Sequence, residues 1–347
     1  MNNFRFRHTL TLMLAAVSFW GCSDTFVSGD DAELSPMHFS TASLTSRAVT
    51  TNESFLQAGN KFKVWGSYES RTNTAFKSTK VFDGVDVTRT SEGAWSYDEP
   101  RYWLPGFRYD FRAIHPVAIA DKVTYTIGES GNDTPTFTID DYDVRQGYDI
   151  LYAAPAPINA VSGPMSPVVL NFKHILSRVA FVGRSDEQHL GEGRRIIIDA
   201  ARLYGIRTAG TWNGQTSDDT SLGSWTPTGE LLGETSTVYY AASVELQTDG
   251  TNLFTDESAL FFLPQSLKNA VLAITYHYNY SDTDQPLQFN GSVRLSELSE
   301  KWESGKSYRY PFTISNHIFF QPPTVEEWKQ APINSPDFNV DIDRANP

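Results

Sequence analysis

From Gly59 onward the dominant period in this sequence is two, and that period constrains the fold more than any other feature. Phe62, Val64, Gly66 and Tyr68 alternate with Lys61, Lys63, Trp65 and Ser67. Tyr109, Phe111 and Ala113 keep the same spacing, as do Val123, Tyr125 and Ile127, and then Phe137 and Ile139. Successive side chains of a strand point to opposite faces, so these runs predict strands with one buried face. Pro105-Gly106, Gly131-Asn132 and Gly147 separate them at short intervals, and no convincing helical stretch lies among them. The pattern predicts an all-β chain built as an antiparallel sandwich.

A break falls between Ala154 and Pro167, where four prolines and Gly163 interrupt the pattern. It predicts a domain boundary near residue 163, with sandwich domains over 48–163 and 164–320. The chain has 347 residues, 40% of them apolar and 13% aromatic, which suffices for two cores. The second set of strands is read at Val168–Val182, Arg195–Leu203, Val238–Leu246, Ala259–Leu263, Val271–Tyr280, Ser292–Leu295 and Ser307–Ser315. In the first of these the phase of Val168, Leu170 and Phe172 slips before Val179 and Phe181, which predicts a bend or bulge near Ile175–Ser177.

The N-terminal stretch reads as export machinery. Arg5 and Arg7 precede an apolar run from Leu10 to Phe19. A bilayer span takes roughly 20 residues, so this run is a signal peptide, residues 1–21. Gly21-Cys22 follows it, as at the end of a bacterial lipoprotein signal. Cys22 is the one cysteine of the chain, and a lone thiol bound for an oxidising compartment is well explained if it carries lipid; an ordinary secretory signal before an incidental cysteine is the alternative. Residues 23–35 are polar and acidic, and read as a tether.

Met37 to Thr50 then forms a short strand-like run ending at Arg47-Ala48. Met37 and Phe39 share one phase and Ala42 and Leu44 the other, so a bend or a weakly held strand is expected there. At the other end, Thr324–Gln330 reads as a turn of helix, with capping-box spacing between Thr324 and Glu327, or as a bent strand. Pro332 and Pro336 isolate Phe338–Asp343, where Phe338, Val340 and Ile342 alternate with Asn339, Asp341 and Asp343. This appendage, 321–347, is a candidate donor strand; an edge strand folded back on its own domain is the alternative.

Chemistry is not signalled. The histidines at 8, 38, 115, 174, 189, 277 and 317 form no metal-ligand spacing. Asp140, Asp141 and Asp143 lack the glycine and distal glutamate of a calcium loop. Gly128-Glu129-Ser130-Gly131 lacks the spacing of a nucleophile elbow. No catalytic residue, metal or cofactor is therefore expected. The formal charge of −13 carries no basic stripe, which argues against nucleic acid. Trp212 and Trp225 flank the Gly-, Ser-, Thr- and Asp-rich stretch Gly210–Ser224, the best candidate for an exposed, sugar-stacking loop, although tryptophan more often fills a core.

Several local patterns together resemble the fimbrillin family of Bacteroides-type pilus subunits. Arg101–Phe111, with Tyr102-Trp103 and Tyr109-Asp110-Phe111, resembles the family's first-domain strand pair. Asp149-Ile150-Leu151-Tyr152-Ala153 and Leu170–Val179, with His174 and Ser177-Arg178, resemble two further motifs. Leu263-Pro264-Gln265 and Trp302–Tyr310 resemble its second domain. The resemblance implies two transthyretin-like, Greek-key β-sandwich domains in tandem and export as a lipoprotein anchored to the outer membrane through Cys22. It also implies cleavage between Arg47 and Ala48, so that residues 22–47 leave, and assembly with other fimbrial subunits by strand exchange at the cell surface. The competing expectation is a lipid-anchored monomer that binds a host or bacterial surface ligand or glycan.

Overall fold

The computed structural model describes residues 34–41, 55–73, 77–128, 134–186, 195–214, 222–254, 261–279 and 288–328. They are almost entirely β structure. The first half contains β1 (Phe39–Thr41), β2 (Lys61–Ser70), β3 (Thr79–Arg89), β4 (Trp95–Ser96) and β5 (Phe107–His115). It continues with β6 (Val123–Thr126), β7 (Thr136–Asp143), β8 (Leu151–Ala153), β9 (Ile158–Asn159), β10 (Val168–Leu170) and β11 (Lys173–His174).

A seven-stranded antiparallel sheet in the order β11-β8-β5-β2-β3-β4, with β9 beside β5, forms the middle layer. Both of its faces are buried. Phe62, Val64, Tyr109, Phe111, Leu151 and Ala153 point into one apolar cluster. Their neighbours Trp65, Ile114 and Tyr152 point into another. Alternation of Phe62 and Val64 with two lysines predicts one wet face, and that holds only for the first turn of β2. Beyond Lys63 the second face carries Trp65, and the Tyr125 hydroxyl donates to Ser67 Oγ at 2.9 Å.

The second half contains β12 (Ser177–Ser185), β13 (Arg195–Tyr204), β14 (Ala209–Asn213), β15 (Ser224–Thr228), β16 (Tyr240–Ala241), β17 (Val244–Glu245) and β18 (Thr251–Asn252). Then come β19 (Phe261–Phe262), β20 (Val271–Asn279), β21 (Gln288–Arg294), β22 (Lys306–Ile314), β23 (Ile318–Phe320) and β24 (Thr324–Glu327). Two sheets, β18-β12-β22-β23 and β16-β13-β20-β21, enclose a core that includes Phe181, Ile198, Leu272, Ile274, Tyr310 and Phe312. Gly183 makes room for the ring of its register partner Phe312 on the neighbouring strand: a Cβ there would sit 2.4 Å from that ring. The central pair β12 and β22 is parallel over eight residue pairs, an exception to the antiparallel rule expected from the sequence.

The chain does not change halves at residue 163. β10 and β11 still belong to the first half, and the phase slip at Ile175–Ser177 is where the chain leaves β11 for β12 and so changes sheet. The expected bend is there because one face has ended and another begins. β14 and β15 then return, adding to β7 and β6 in a four-stranded sheet that covers the Trp65 face. The Gly210–Ser224 stretch is thus bounded by a strand pair, with Trp212 opposite Trp225. Of the two readings for 324–330, the strand is the one observed, Thr324–Glu327 pairing with β22.

Candidate functional site

Residues 35–41 lie in a slot on the Phe62 face of the middle sheet. β1 runs parallel to β10, with Phe39, Ser40 and Thr41 opposite Val168, Val169 and Leu170. The Val168 amide donates to the His38 carbonyl at 2.7 Å. The other edge of the segment is held by the 101–103 stretch. There the Trp103 amide donates to the Ser35 carbonyl at 2.9 Å, and the Met37 amide donates to the Arg101 carbonyl at 2.7 Å. Backbone groups therefore line both walls, which is the arrangement that accepts an added strand.

The period-two reading of Met37 and Phe39 holds. Met37 is 1% and Phe39 5% exposed, while His38 between them faces outward. The Phe39 ring meets Phe82, Tyr97, Phe111 and Phe62 edge-on at centroid distances of 5.3, 5.8, 5.9 and 6.3 Å. Edge-to-face contacts of this kind add about 0.5–1.5 kcal/mol to what burial alone gives. Polar pins complete the fit. Tyr97 donates its hydroxyl to the Met37 carbonyl at 2.8 Å, and burial pushes that phenol's pKa up. Trp95 Nε1 donates to Thr41 Oγ1 at 3.2 Å, and the Met165 amide to Ser35 Oγ at 2.9 Å.

The clasp on Ser35 and Met37 recurs in the second half. Trp103, Gly106, Tyr109 and Phe111 have the spacing of Trp302, Gly305, Tyr308 and Tyr310. In each copy the tyrosine hydroxyl accepts from the amide after the tryptophan, Leu104 or Glu303, at 2.9 Å. Both glycines have positive φ, +88° and +68°, which turns the loop back. The grip is the same too. The Trp302 amide donates to the Gln265 carbonyl and the Leu267 amide to the Glu300 carbonyl, both at 2.9 Å. The bridge between Pro36 and Tyr102 is matched by one between Ser266 and Lys301. The spacing is a signal in the sequence that periodicity alone passes over.

The other motifs hold the halves together. His174 Nδ1 and Asp149 Oδ1 are 2.7 Å apart and buried, and the His174 ring stacks on Trp328 at 4.0 Å. Arg178 lies beside them, its pKa pushed down to about 10 by burial while Asp149 opposes the shift.

Trp212 corrects the expectation of an exposed aromatic. It is 0% exposed, donates Nε1 to the Leu222 carbonyl at 3.0 Å and packs on Tyr152 at 4.5 Å. Gly214 and Gly223 make room for the indole; a Cβ would fall 2.3 and 2.6 Å from it. Trp225 is half-buried and keeps one part at the surface. Cys22, Arg47, Ala48, Phe338, Val340 and Ile342 lie outside the described residues. Among the described residues, no group of three His, Cys, Asp or Glu side chains is placed to hold a metal ion.

Comparison with known proteins agrees with these motifs. The chain is 21% identical, over 389 aligned residues covering 97% of it and 99% of the relative, to the fimbrium subunit Fim1C of Phocaeicola vulgatus. It is similar in fold to the crystal structure of a fimbrial protein from Bacteroides vulgatus, with TM-score 0.56, 18% identity, and coverage of 84% of this chain and 99% of that one. The fimbrillin-like family model matches residues 46–328, which hold both clasps, the Asp149–His174 pair and Trp328. With the greater part of its length and every one of these motifs inside that match, the chain belongs to the fimbrillin-like family.

Proposed function

We propose that this protein is a structural, non-catalytic subunit of a cell-surface fimbrium, built into a polymer by strand exchange at the slot that residues 35–41 occupy. It is exported as a lipoprotein through Cys22, held at the outer membrane, and cut between Arg47 and Ala48. The observation that carries this reading is the position of Phe39. A segment on the N-terminal side of Arg47 fills an aromatic groove with backbone partners on both walls. Before the cut it keeps the groove closed. After the cut it is held only by non-covalent contacts, among them a parallel ladder of three residues. Parallel pairing is slightly weaker per residue than antiparallel, so a longer strand from another subunit displaces it.

Phe338, Val340 and Ile342 supply that strand. Their alternation reproduces the inward spacing of Met37 and Phe39. A strand at one end of a subunit entering a groove at the other is a heterologous contact, and such contacts propagate into filaments.

Digestion of the purified chain with an arginine-specific protease tests the reading. The expected result is a new N-terminus at Ala48 together with a ladder of heat-labile multimers, and the same digest of a chain lacking residues 338–347 gives none. A cut chain that stays monomeric under all conditions rules out strand exchange. Normal multimers from the shortened chain rule out its C-terminus as donor.

A further inference from the structure

A second site lies away from the groove. Three backbone stretches, 205–207, 225–231 and 264–269, surround a cleft of about 490 Å³, within the size range of small-molecule sites. Its walls are fixed. Gly205 has φ +74°, and a Cβ there would fall 1.9 Å from the Asn269 carbonyl oxygen, so two of the stretches touch backbone to backbone. Gln265, 9% exposed, locks them: its Oε1 accepts from the Arg207 amide at 2.9 Å and its Nε2 donates to the Arg207 carbonyl at 2.8 Å. The third wall is tied in by the Gly205 amide to the Leu232 carbonyl at 2.8 Å and by Arg207 Nε to the Gly229 carbonyl at 3.0 Å.

The lining has one sign of charge. Arg207 and Lys268 are its charged side chains, on a chain whose formal charge is −13. Among the described residues neither has a carboxylate within ion-pair distance. Beside them stands Trp225, whose Nε1 donates to the Ile175 carbonyl at 2.7 Å and whose ring packs on Tyr142 at 6.0 Å. A pinned, half-buried indole is a stacking platform with little entropy left to lose. Pro227 and Pro264 extend its apolar surface.

We infer that this cleft binds an acidic saccharide: the apolar face of the sugar ring lies on Trp225, and its carboxylate is held by Arg207 and Lys268. Two cations lining the same cleft as a pinned indole suit a ring that bears both a C–H face and a carboxylate. An acidic peptide fits less well. β15 is the edge strand here, and Pro227 within it leaves no complete edge for a peptide backbone to join. The inference is independent of strand exchange, since a monomer carries the whole cleft.

Isothermal titration of the purified chain with tetragalacturonate and a hyaluronan tetrasaccharide tests it, with a neutral tetrasaccharide, sodium acetate and a tetra-aspartate peptide as controls. The expected result is saturable binding of an acidic tetrasaccharide, at least about tenfold tighter than any control. Affinity falls by at least about tenfold in the Arg207→Gln/Lys268→Gln variant, the scale of one lost charge-assisted contact, and by a smaller factor in Lys268→Gln alone, which keeps the Arg207–Gly229 tie and an unchanged melting temperature. Trp225→Phe, which keeps the charges and a smaller ring, weakens the sugar but not acetate. No saturable binding of either acidic sugar, equal affinity for the neutral sugar or for acetate, tighter binding of the peptide, or an unaffected double variant each overturns the inference.

Discussion

The two halves of the molecule grip a segment with the same clasp, and they differ in what is gripped. In the second half Trp302, Gly305 and Tyr308 close on Gln265 and Leu267, which lie inside the chain between β19 and β20. In the first half Trp103, Gly106 and Tyr109 close on Ser35 and Met37, which lie on the N-terminal side of Arg47. Hydrogen bonds and burial are nearly equal: Leu267 is fully buried and Met37 almost so. Covalent continuity is not. In the proposed mechanism a cut at Arg47 turns the first clasp into a binding site and leaves the second a piece of core. On the proposed reading, the same local contacts serve permanence in one half and exchange in the other.

That contrast sets the predictions. The largest effect is expected from Trp302→Ala and Trp103→Ala. Each removes a fully buried indole and costs about 3–5 kcal/mol in urea unfolding of the intact chain. Once the cut segment has left its slot and before another strand fills it, Trp302→Ala keeps its full cost and Trp103→Ala costs less. Equal costs in the cut chain break the comparison. Phe39→Ala comes next, at about 3 kcal/mol in the intact chain and nothing once the segment has left. Paired Tyr109→Phe and Tyr308→Phe variants each leave one loop amide without its acceptor, at about 1 kcal/mol each. Amide exchange in residues 35–39 speeds up in the first variant only.

The smallest effect is a pH dependence on the groove side. His115 packs on Phe55 at 5.0 Å and donates from Nδ1 to the Lys61 carbonyl at 2.8 Å. Burial lowers its pKa below the usual imidazole value. The unfolded chain therefore takes up the proton first, so His115 contributes stability above about pH 6.5 that is lost as the pH falls. The melting temperature of the wild type should drop more between pH 7 and pH 5 than that of His115→Gln. An equal drop removes His115 as the cause.

Much of this was legible in the residues. Period two marked β2, β5, β13, β20 and β22, and the inward phase of Met37 and Phe39 pointed to the groove segment. What escaped has physical causes. β3 buries Phe82 and Val87 but exposes Lys80 and Asp83 and leaves Asp86 half-buried, so its alternation is diluted by charge. Val238–Leu246 reads as one strand, yet positive φ at Tyr239 and Ser243, 51° and 57°, breaks it into β16 and β17 without a glycine to announce it. β14 pairs with β15 and with β7, a partner far away in sequence that no local pattern encodes. Trp212 sits among glycines, which mark a loop in the sequence and make space for its indole in the fold. The donor stretch Phe338–Asp343 and the cut at Arg47 rest on the sequence alone.

One measurement tests the central claim directly. Ser40 and Val169 are register partners on β1 and β10, with Val169 half exposed at 49%. Cysteines at both positions, in a chain carrying Cys22→Ser, form a disulfide that keeps the N-terminal segment in its slot after Arg47 is cut. The cut, oxidised chain is predicted to stay monomeric and to form multimers once reductant is added. Multimers that appear at the same rate with the disulfide intact would contradict the account, because the groove would then never have had to open.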